Sequence, residues 1–375
     1  MDKKKSLLEI IADSKFIHTL LSIVLGFAVG AFFMAIMNVS VSDAYGKLFG
    51  SVFSSVKNLS YCIVYATPYI LTGLSVAFSF KTGVFNIGAE GQFVVGAMAA
   101  CVLGILCGDL PSIVLIPLCF LAAMLAGIIW GIIVGVLKTK WGINEVLSMI
   151  MFNWIAFYLS NWIADLPIIH SQGTAEATKN ISAAASIQLP AEMIKSMGLC
   201  PTANWGILLA IVFTVIVWFI IEKTTLGYEL KAVGFNKHAA EYAGINVNRS
   251  ILTALGISGA MAGLGGALHV MGAAGRISVF AGQEGFGFAG IVVALIGVSN
   301  PLGVFLAGLF YGALTYGGGK LTLVGAPTQV VDIIVGTVVF FIAISSIFSY
   351  IKNLKKTKAA APAAVAAESS EKEDK

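Results

Sequence analysis

Long apolar runs separated by short polar segments make up most of the chain. A transmembrane helix needs about 20 mainly apolar residues, and eight runs reach or approach this length. They lie at residues 17–39, 60–80, 111–137, 144–164, 205–221, 251–271, 301–316 and 330–350. Two further runs, 93–107 and 291–298, are too short to cross alone, although 93–107 completes a crossing if it joins the segment before it. The pattern predicts an all-α integral membrane protein with about ten transmembrane helices.

A polar, glycine-rich stretch at residues 81–93 interrupts this pattern between two apolar segments. It places Asn86, Glu90 and Gln92 at or near membrane depth. A carboxylate at the centre of a membrane helix costs about 2.5 to 3.5 kcal/mol, so we expect Glu90 to face the bundle interior or a water-filled cavity. Broken helices of this kind line solute sites in transporters, whereas an ordinary polar loop outside the bilayer is the alternative interpretation.

A second stretch with the same character lies at residues 272–290, where Gln283 and Glu284 stand among glycines ahead of the short apolar run 291–298. We call residues 81–93 the first break and residues 272–290 the second break. One such break in each half of the chain predicts two related halves with broken-helix segments around a central pathway.

Small residues recur every four positions in the run at residues 111–137. Gly127, Gly131 and Gly135 form one stripe, which favours the close approach of a neighbouring helix. The spacing therefore predicts tight helix packing and carries no functional assignment.

Composition and charge agree with a membrane protein. Hydrophobic residues make up 58% of the chain and charged residues 11%, and the mean hydropathy is +0.91, which excludes a soluble domain. Most of the 23 Lys and Arg residues lie in segments that a ten-helix topology places in the cytoplasm, including both termini. The sequence thus predicts a cytoplasmic N-terminus at 1–16, a transmembrane domain at 17–350 and a disordered cytoplasmic tail at 351–375. The net charge of +4 gives no reason to expect a nucleic-acid partner.

Chemistry-bearing clusters are missing from the sequence. The four histidines are scattered, and the five cysteines include no CxxC pair, so we expect neither a metal site nor a bound cofactor. Gly319 and Lys320 resemble the end of a phosphate loop, but Leu321 follows where Ser or Thr is needed. We therefore expect a chain without its own ATPase site and without an enzymatic activity.

The most charged segment between two apolar runs spans residues 222–250 and is predicted to be cytoplasmic. Within it, Asn236 can cap a short helix at 237–243 that ends at Gly244. A capped, exposed helix between two membrane spans is suited to docking a partner, and a solvated connector is the alternative.

Three segments together resemble one known family. They are GVFNIGAEGQF at 83–93, LGYELKAVGFNKHAAEYAGINV at 226–247 and GFGFAGIVVALIGVSNPLG at 285–303. In this order they resemble the permease subunits of bacterial ABC importers in the branched-chain amino acid and simple-sugar group, particularly the nucleoside permeases. The resemblance implies a multi-pass protein of the bacterial plasma membrane. It also implies three partners: a cytoplasmic ATPase that uses the ATP, a second and different permease subunit, and an extracellular or periplasmic substrate-binding lipoprotein.

The resemblance also implies roles for particular residues. The loop at 234–247 corresponds to the family's coupling loop, whose short helix docks on the ATPase. The expected coupling residues are Gly234, Asn236, Lys237, Ala239, Ala240, Glu241, Ala243 and Gly244. The two breaks would line the substrate pathway, with aromatic rings for stacking and polar groups for hydrogen bonds. The expected pathway residues are Phe85, Asn86, Glu90, Gln92, Gln283, Glu284, Phe286 and Phe288.

These expectations lead to a functional hypothesis: the protein imports a small polar solute, a nucleoside, by alternating access driven by the separate ATPase. A nucleoside needs stacking surfaces and neutral hydrogen-bonding groups, which both breaks supply. An ABC permease for a simple sugar or a branched-chain amino acid is the alternative. A secondary transporter is less favoured, because it usually needs a network of coupling carboxylates and only Glu90, Glu284 and Asp332 are candidates.

Overall fold

The computed structural model describes residues 15–173, 176–279 and 281–344. Within these ranges the chain is helical, with isolated β-bridges and no β-strand. The helices, in chain order, are α1 (Lys15–Ile36), α2 (Val41–Phe53), α3 (Val56–Phe80), α4 (Ala89–Leu106), α5 (Ser112–Trp141), α6 (Glu145–Ala164), α7 (Ala191–Met197), α8 (Gly206–Lys223), α9 (Thr225–Phe235), α10 (Lys237–Tyr242), α11 (Val247–His269), α12 (Phe286–Ile296), α13 (Pro301–Gly318) and α14 (Gln329–Ile344).

The helix count agrees with the prediction from the apolar runs. Eight helices in the described part of the chain are long and apolar enough to cross a membrane, and α12 and α14 are shorter apolar helices. The run at 93–107 does join the first break, because α4 begins at Ala89 and reaches 18 residues. The predicted N-terminal segment at 1–16 overlaps the described residues only at 15–16, and the predicted disordered tail at 351–375 lies outside them.

The chain divides into two compact units. In one unit, which contains α1 and α14, Gly26 lets the helices approach: a Cβ atom at this position would lie 2.5 Å from Val338 Cγ2. The other unit spans residues 42–328 and contains α2 to α13 as well as both breaks.

Helix α3 lies at the centre of the larger unit and contacts α8, α11, α12 and α13. Its residues are buried almost continuously from Ala66 to Ser79. Helix α5, in contrast, exposes Ile113, Leu121, Leu125 and Ile129 on one side. Apolar side chains left on the outside of a helical bundle are what a bilayer solvates, so α5 presents a lipid-facing surface.

The small-residue stripe of α5 packs against α11, as the spacing predicted. A Cβ atom on Gly127 would lie 2.0 Å from the carbonyl oxygen of Gly259, and one on Gly131 would lie 2.4 Å from the carbonyl oxygen of Leu255. The two backbones therefore touch at positions where only glycine fits.

The long polar segment after α6 packs on the second break. The backbone N–H of Thr178 donates to the carbonyl of Ile277 at 2.8 Å, and the N–H of Ile277 donates to Thr178 Oγ1 at 3.1 Å. A bridge between Ala177 and Ser278 extends this contact. The segment therefore holds the second break in a defined position.

The α5–α11 crossing gives a prediction with a control in the same helix. Replacing Gly259 by Ala places a methyl group 2.1 Å from the carbonyl oxygen of Gly127, and we expect a loss of about 1–3 kcal/mol of stability. Replacing Gly256 by Ala should leave stability unchanged or slightly raised, because the nearest atoms, on Ile132, would lie 3.6 Å away. The measurement is the thermal unfolding midpoint of the purified chain in detergent. Equal midpoints for the two variants would contradict the packing described.

Candidate functional site

The side chain of Glu90 connects the two breaks. Glu90 lies in the first turn of α4 and is fully buried. Its Oε1 accepts a hydrogen bond from the backbone N–H of Gly285 at 2.7 Å, and its Oε2 accepts one from the N–H of Gly287 at 2.6 Å. Each carboxylate oxygen in the first break is thus bonded to the backbone of the second break.

The position of these donors explains why a carboxylate is stable there. Gly285 is the N-cap residue of α12, and the first N–H groups of a helix have no partner within the helix. A negative charge at this end also interacts favourably with the helix dipole. Glu90 therefore caps α12, and its burial is compensated by hydrogen bonds to the charged form.

Two glycines make this contact sterically possible. Gly285 has a left-handed backbone with φ of +87°, which side-chain-bearing residues rarely adopt. At Gly287 a Cβ atom would lie 2.1 Å from the backbone nitrogen of Glu90. The start of α12 therefore rests directly on the start of α4.

A second buried contact holds the first break against α3 and α11. Asn86 Nδ2 donates to Gln92 Oε1 at 2.9 Å and to Ser258 Oγ at 2.6 Å. Ser258 Oγ in turn donates to the carbonyl of Ser75 at 2.8 Å. All four residues are at most 1% exposed. A satisfied network of this kind rigidifies the segment that contains it.

Asn153 of α6 fixes the other side of the first break. Its Oδ1 accepts from the N–H of Gly91 at 2.8 Å, and its Nδ2 donates to the carbonyl of Ile87 at 3.1 Å. A side-chain amide that binds backbone groups on both sides of a helix start replaces the hydrogen bonds lost where the helix is broken.

Five of the eight predicted pathway residues fall into two groups. Asn86, Glu90 and Gln92 are buried and bonded within the protein, as expected for polar groups kept away from lipid. Glu284 and Phe288 are exposed. The contact of either group with a solute stays a prediction.

Three other predicted pathway residues have distinct surroundings. Phe85 stacks on Phe80, with ring centroids 5.0 Å apart, and in the described part of the chain no ring contact joins it to the other predicted aromatics. Phe286 belongs to a separate group of rings. Gln283 Nε2 is buried without a hydrogen-bond partner among the described residues.

The group around Phe286 is an aromatic cluster formed by Tyr69, Phe93, His269, Phe286 and Tyr311. Phe286 stacks on Phe93 with ring centroids 4.8 Å apart, lies 4.6 Å from the His269 ring and 5.4 Å from the Tyr69 ring. Tyr69 contacts Tyr311 edge-on at 4.7 Å. The cluster joins α3, α4, α11, α12 and α13 beside the Glu90 contact.

The predicted coupling loop has the expected local structure. Asn236 Oδ1 accepts from the N–H groups of His238 at 3.0 Å and Ala239 at 3.2 Å, which caps α10. The helix ends at Tyr242, one residue before the predicted end, and Gly244 follows with φ of +84°. The prediction of a short helix capped by Asn236 is confirmed.

Two of the exposed side chains of the predicted coupling loop are aromatic. Phe235 is 91% exposed and Tyr242 is 95% exposed, at the two ends of α10. Ala240, which lies between them, is buried. A partner that docks on this loop would therefore contact Phe235 and Tyr242 and would not contact Ala240. The remaining predicted coupling residues, Gly234, Lys237, Glu241 and Ala243, are exposed.

The coupling loop touches the first break through its backbone. A Cβ atom on Gly234 would lie 2.1 Å from the carbonyl oxygen of Lys81 and 3.1 Å from the nitrogen of Gly83. Gly83 has φ of +72°, so the chain turns at the point of contact. The loop, the first break and the start of α12 thus form a continuous series of contacts.

Sequence reasoning did not assign roles to several residues of this site. Ser75 and Ser258 are small and lie within apolar runs, so nothing in the pattern distinguishes them from packing residues. Asn153 is an amide inside the apolar run 144–164, which is a usable signal. His269 is one of four scattered histidines, and nothing in the sequence distinguishes it from the others.

Comparisons with known proteins show that this chain is similar to transport permeases. The family described as "Branched-chain amino acid transport system / permease component" matches residues 58–343. The guanosine ABC transporter permease protein NupP of Bacillus subtilis is 39% identical over 90% of this chain and 96% of its own length. The nucleoside ABC transporter permease protein NupB of Lactococcus lactis is 34% identical over 89% of this chain and 92% of its own. The glucose ABC transporter permease protein TsgB13 of Haloferax volcanii is 34% identical over 88% and 87%. No solved structure matches the chain.

The Glu90 contact predicts a large effect from a nearly isosteric change. In a Glu90→Gln variant one oxygen becomes an NH₂ group that faces a backbone N–H, so one hydrogen bond to a charged group is lost and a donor is left unpaired. Each such loss costs about 1.5–3 kcal/mol, and the thermal unfolding midpoint should fall clearly. Glu192→Gln changes an exposed carboxylate of α7 and should leave the midpoint unchanged. An unchanged midpoint for Glu90→Gln would show that the carboxylate does not stabilise the junction.

Proposed function

The chain belongs to the family of branched-chain amino acid transport system permease components, and we propose that it is the permease subunit of an ATP-binding-cassette importer that moves a nucleoside into the cell. The observation that carries the proposal is the series of contacts from the exposed coupling loop, through Gly234 and the first break, to the start of α12. Such a series can transmit the movement of a docked partner to the interior of the bundle.

The mechanism follows from this geometry. An ATPase docked on Phe235 and Tyr242 pushes or releases α10 as it closes and opens. Because Gly234 rests on Lys81 without an intervening side chain, a displacement of the loop displaces the first break. The first break is rigid, and Glu90 ties it to α12, so both breaks move together. Alternating access then arises from a rigid-body change around the central pathway, with no covalent chemistry on the solute.

The proposal extends to partners and location. The chain has no ATPase site of its own, so ATP binds a separate cytoplasmic ATPase. A second permease subunit, different in sequence, completes the pathway, and an external substrate-binding lipoprotein delivers the solute. The protein spans the bacterial plasma membrane with both termini and the 222–250 loop in the cytoplasm, in agreement with the distribution of Lys and Arg residues.

Two observations support a nucleoside as the solute. NupP and NupB, whose names specify guanosine and nucleosides, cover nearly the whole chain. The second break also adjoins an aromatic cluster, and flat bases stack on aromatic rings. A simple sugar is the second candidate, because the relative TsgB13 is named as a glucose permease at 34% identity.

Uptake measurements decide between these solutes. Cells that lack this gene should lose most of their uptake of radiolabelled guanosine and adenosine, and a plasmid copy should restore it. Ribose, glucose and leucine, supplied to the same cells, are the controls and should enter at unchanged rates. Loss of glucose or ribose uptake with nucleoside uptake intact would assign the sugar alternative.

The coupling loop is tested by removing its exposed rings. Tyr242→Ala and Phe235→Ala should each weaken the copurification of the ATPase and lower uptake severalfold, because buried aromatic residues at an interface commonly contribute about 2 kcal/mol or more. Trp141→Ala is the matched control, since Trp141 is 65% exposed at the end of α5 and lies outside the loop. Ala240 is unsuitable for this test, because a large residue there would disrupt the packing beneath α10.

Normal copurification and uptake in the Tyr242 and Phe235 variants would contradict docking at this loop. A loss of uptake with normal copurification would instead show that the variant binds the ATPase but does not pass its movement through Gly234 to the first break.

A further inference from the structure

A small, partly open cavity lies between the aromatic cluster and the second break. Its volume is about 110 Å³. The residues with side-chain chemistry on its walls are Phe93, Ser160, His269, Arg276, Ser278 and Glu284. They come from α4, α6, the end of α11 and the second break. The Glu90 contact joins α4 to the second break, and the 165–205 segment packs on the second break.

His269 lies on the wall of this cavity, and the described part of the fold gives its ring nitrogens no structural role. Its ring contacts Phe286 and Phe93, but neither ring nitrogen has a hydrogen-bond partner among the described residues. A neutral imidazole carries one donor and one acceptor, which the fold leaves to the cavity. The residue directly precedes a π-helical turn, Val270–Ala274, a rare irregularity that is frequent at functional sites.

The cavity also contains two opposite charges. Arg276 and Glu284 both lie at its exposed side, and neither has an ion-pair partner in the described part of the chain. A carboxylate accepts hydrogen bonds only, whereas a guanidinium donates only. A ligand that offers N–H donors beside a carbonyl acceptor would satisfy both groups.

From these observations we propose that this cavity is the base-recognition site of the permease and that its ligand is a 6-oxopurine nucleoside. The base borders Phe93 and the aromatic cluster. Its ring N–H and amino donors face Glu284, and its carbonyl and ring-nitrogen acceptors face Arg276 and His269. The inference rests on the proposed function, and it moves solute recognition away from Asn86 and Gln92, whose amides bond to each other and to Ser258.

The volume of the cavity indicates in which part of the transport cycle the site binds its ligand. Pockets that hold small organic ligands measure about 300–1,000 Å³, so a cavity of about 110 Å³ is a contracted form. The walls belong to both breaks, which the coupling loop is proposed to move. The site therefore widens and contracts within the transport cycle.

The test uses solute discrimination, because a purely structural defect would slow all solutes equally. Cells that carry His269→Phe or Glu284→Gln in place of the native gene are supplied with saturating radiolabelled guanosine or adenosine. Saturation removes differences in capture by the substrate-binding protein. The ratio of the guanosine rate to the adenosine rate should fall by roughly threefold to tenfold, the effect of about one net hydrogen bond. His269→Gln, which retains a donor and an acceptor, should restore part of the ratio.

The controls separate the possible outcomes. His170→Phe makes the same substitution outside the cavity and should leave the ratio at its wild-type value. An unchanged ratio in both His269→Phe and Glu284→Gln, with the subunit assembled, would overturn the inference, and so would an equal change in His170→Phe. If His269→Phe does not assemble, Glu284→Gln decides alone. Wild-type cells that accumulate neither nucleoside would refute the proposed function itself, before any variant is compared.

Discussion

The junction of the two breaks depends on one buried interaction, the Glu90 carboxylate bonded to the first N–H groups of α12. Both partners would be unfavourable alone: a carboxylate without donors inside a membrane protein, and a helix start without acceptors. Together they offset the free-energy cost of burying each group, since each carboxylate oxygen accepts one N–H at 2.6 to 2.7 Å. Two segments almost 200 positions apart in sequence are thereby joined.

Around this interaction the two breaks are held by different sets of contacts. The first break is held by Asn153 of α6 and by Ser258 of α11, which is itself bonded to the α3 backbone. The second break is bonded to Thr178 through Ile277, and it leaves the Gln283 amide nitrogen without a hydrogen-bond partner among the described residues.

Glycine has two different functions in this arrangement. Between α5 and α11 it permits the permanent contact of two backbones, as at Gly127 and Gly259. At Gly234 and Gly287 it permits contacts along the proposed route from the ATPase to the solute. In both cases the missing Cβ atom lets backbone atoms meet directly, and direct contacts transmit displacement better than flexible side chains.

The sequence by itself determined the all-α membrane class, the helix count near ten, the capped helix after Asn236 and the burial of Glu90. These features follow from local rules: apolar run length, capping residues and the cost of a charge in lipid. Only the tertiary structure decided that Glu90 caps α12, that Asn86 pairs with Gln92, that Ala240 is buried beside exposed Phe235 and Tyr242, and that His269 borders a cavity. These features depend on which distant segments meet, and hydrophobic periodicity specifies which face of a helix is apolar without specifying the helix that covers it.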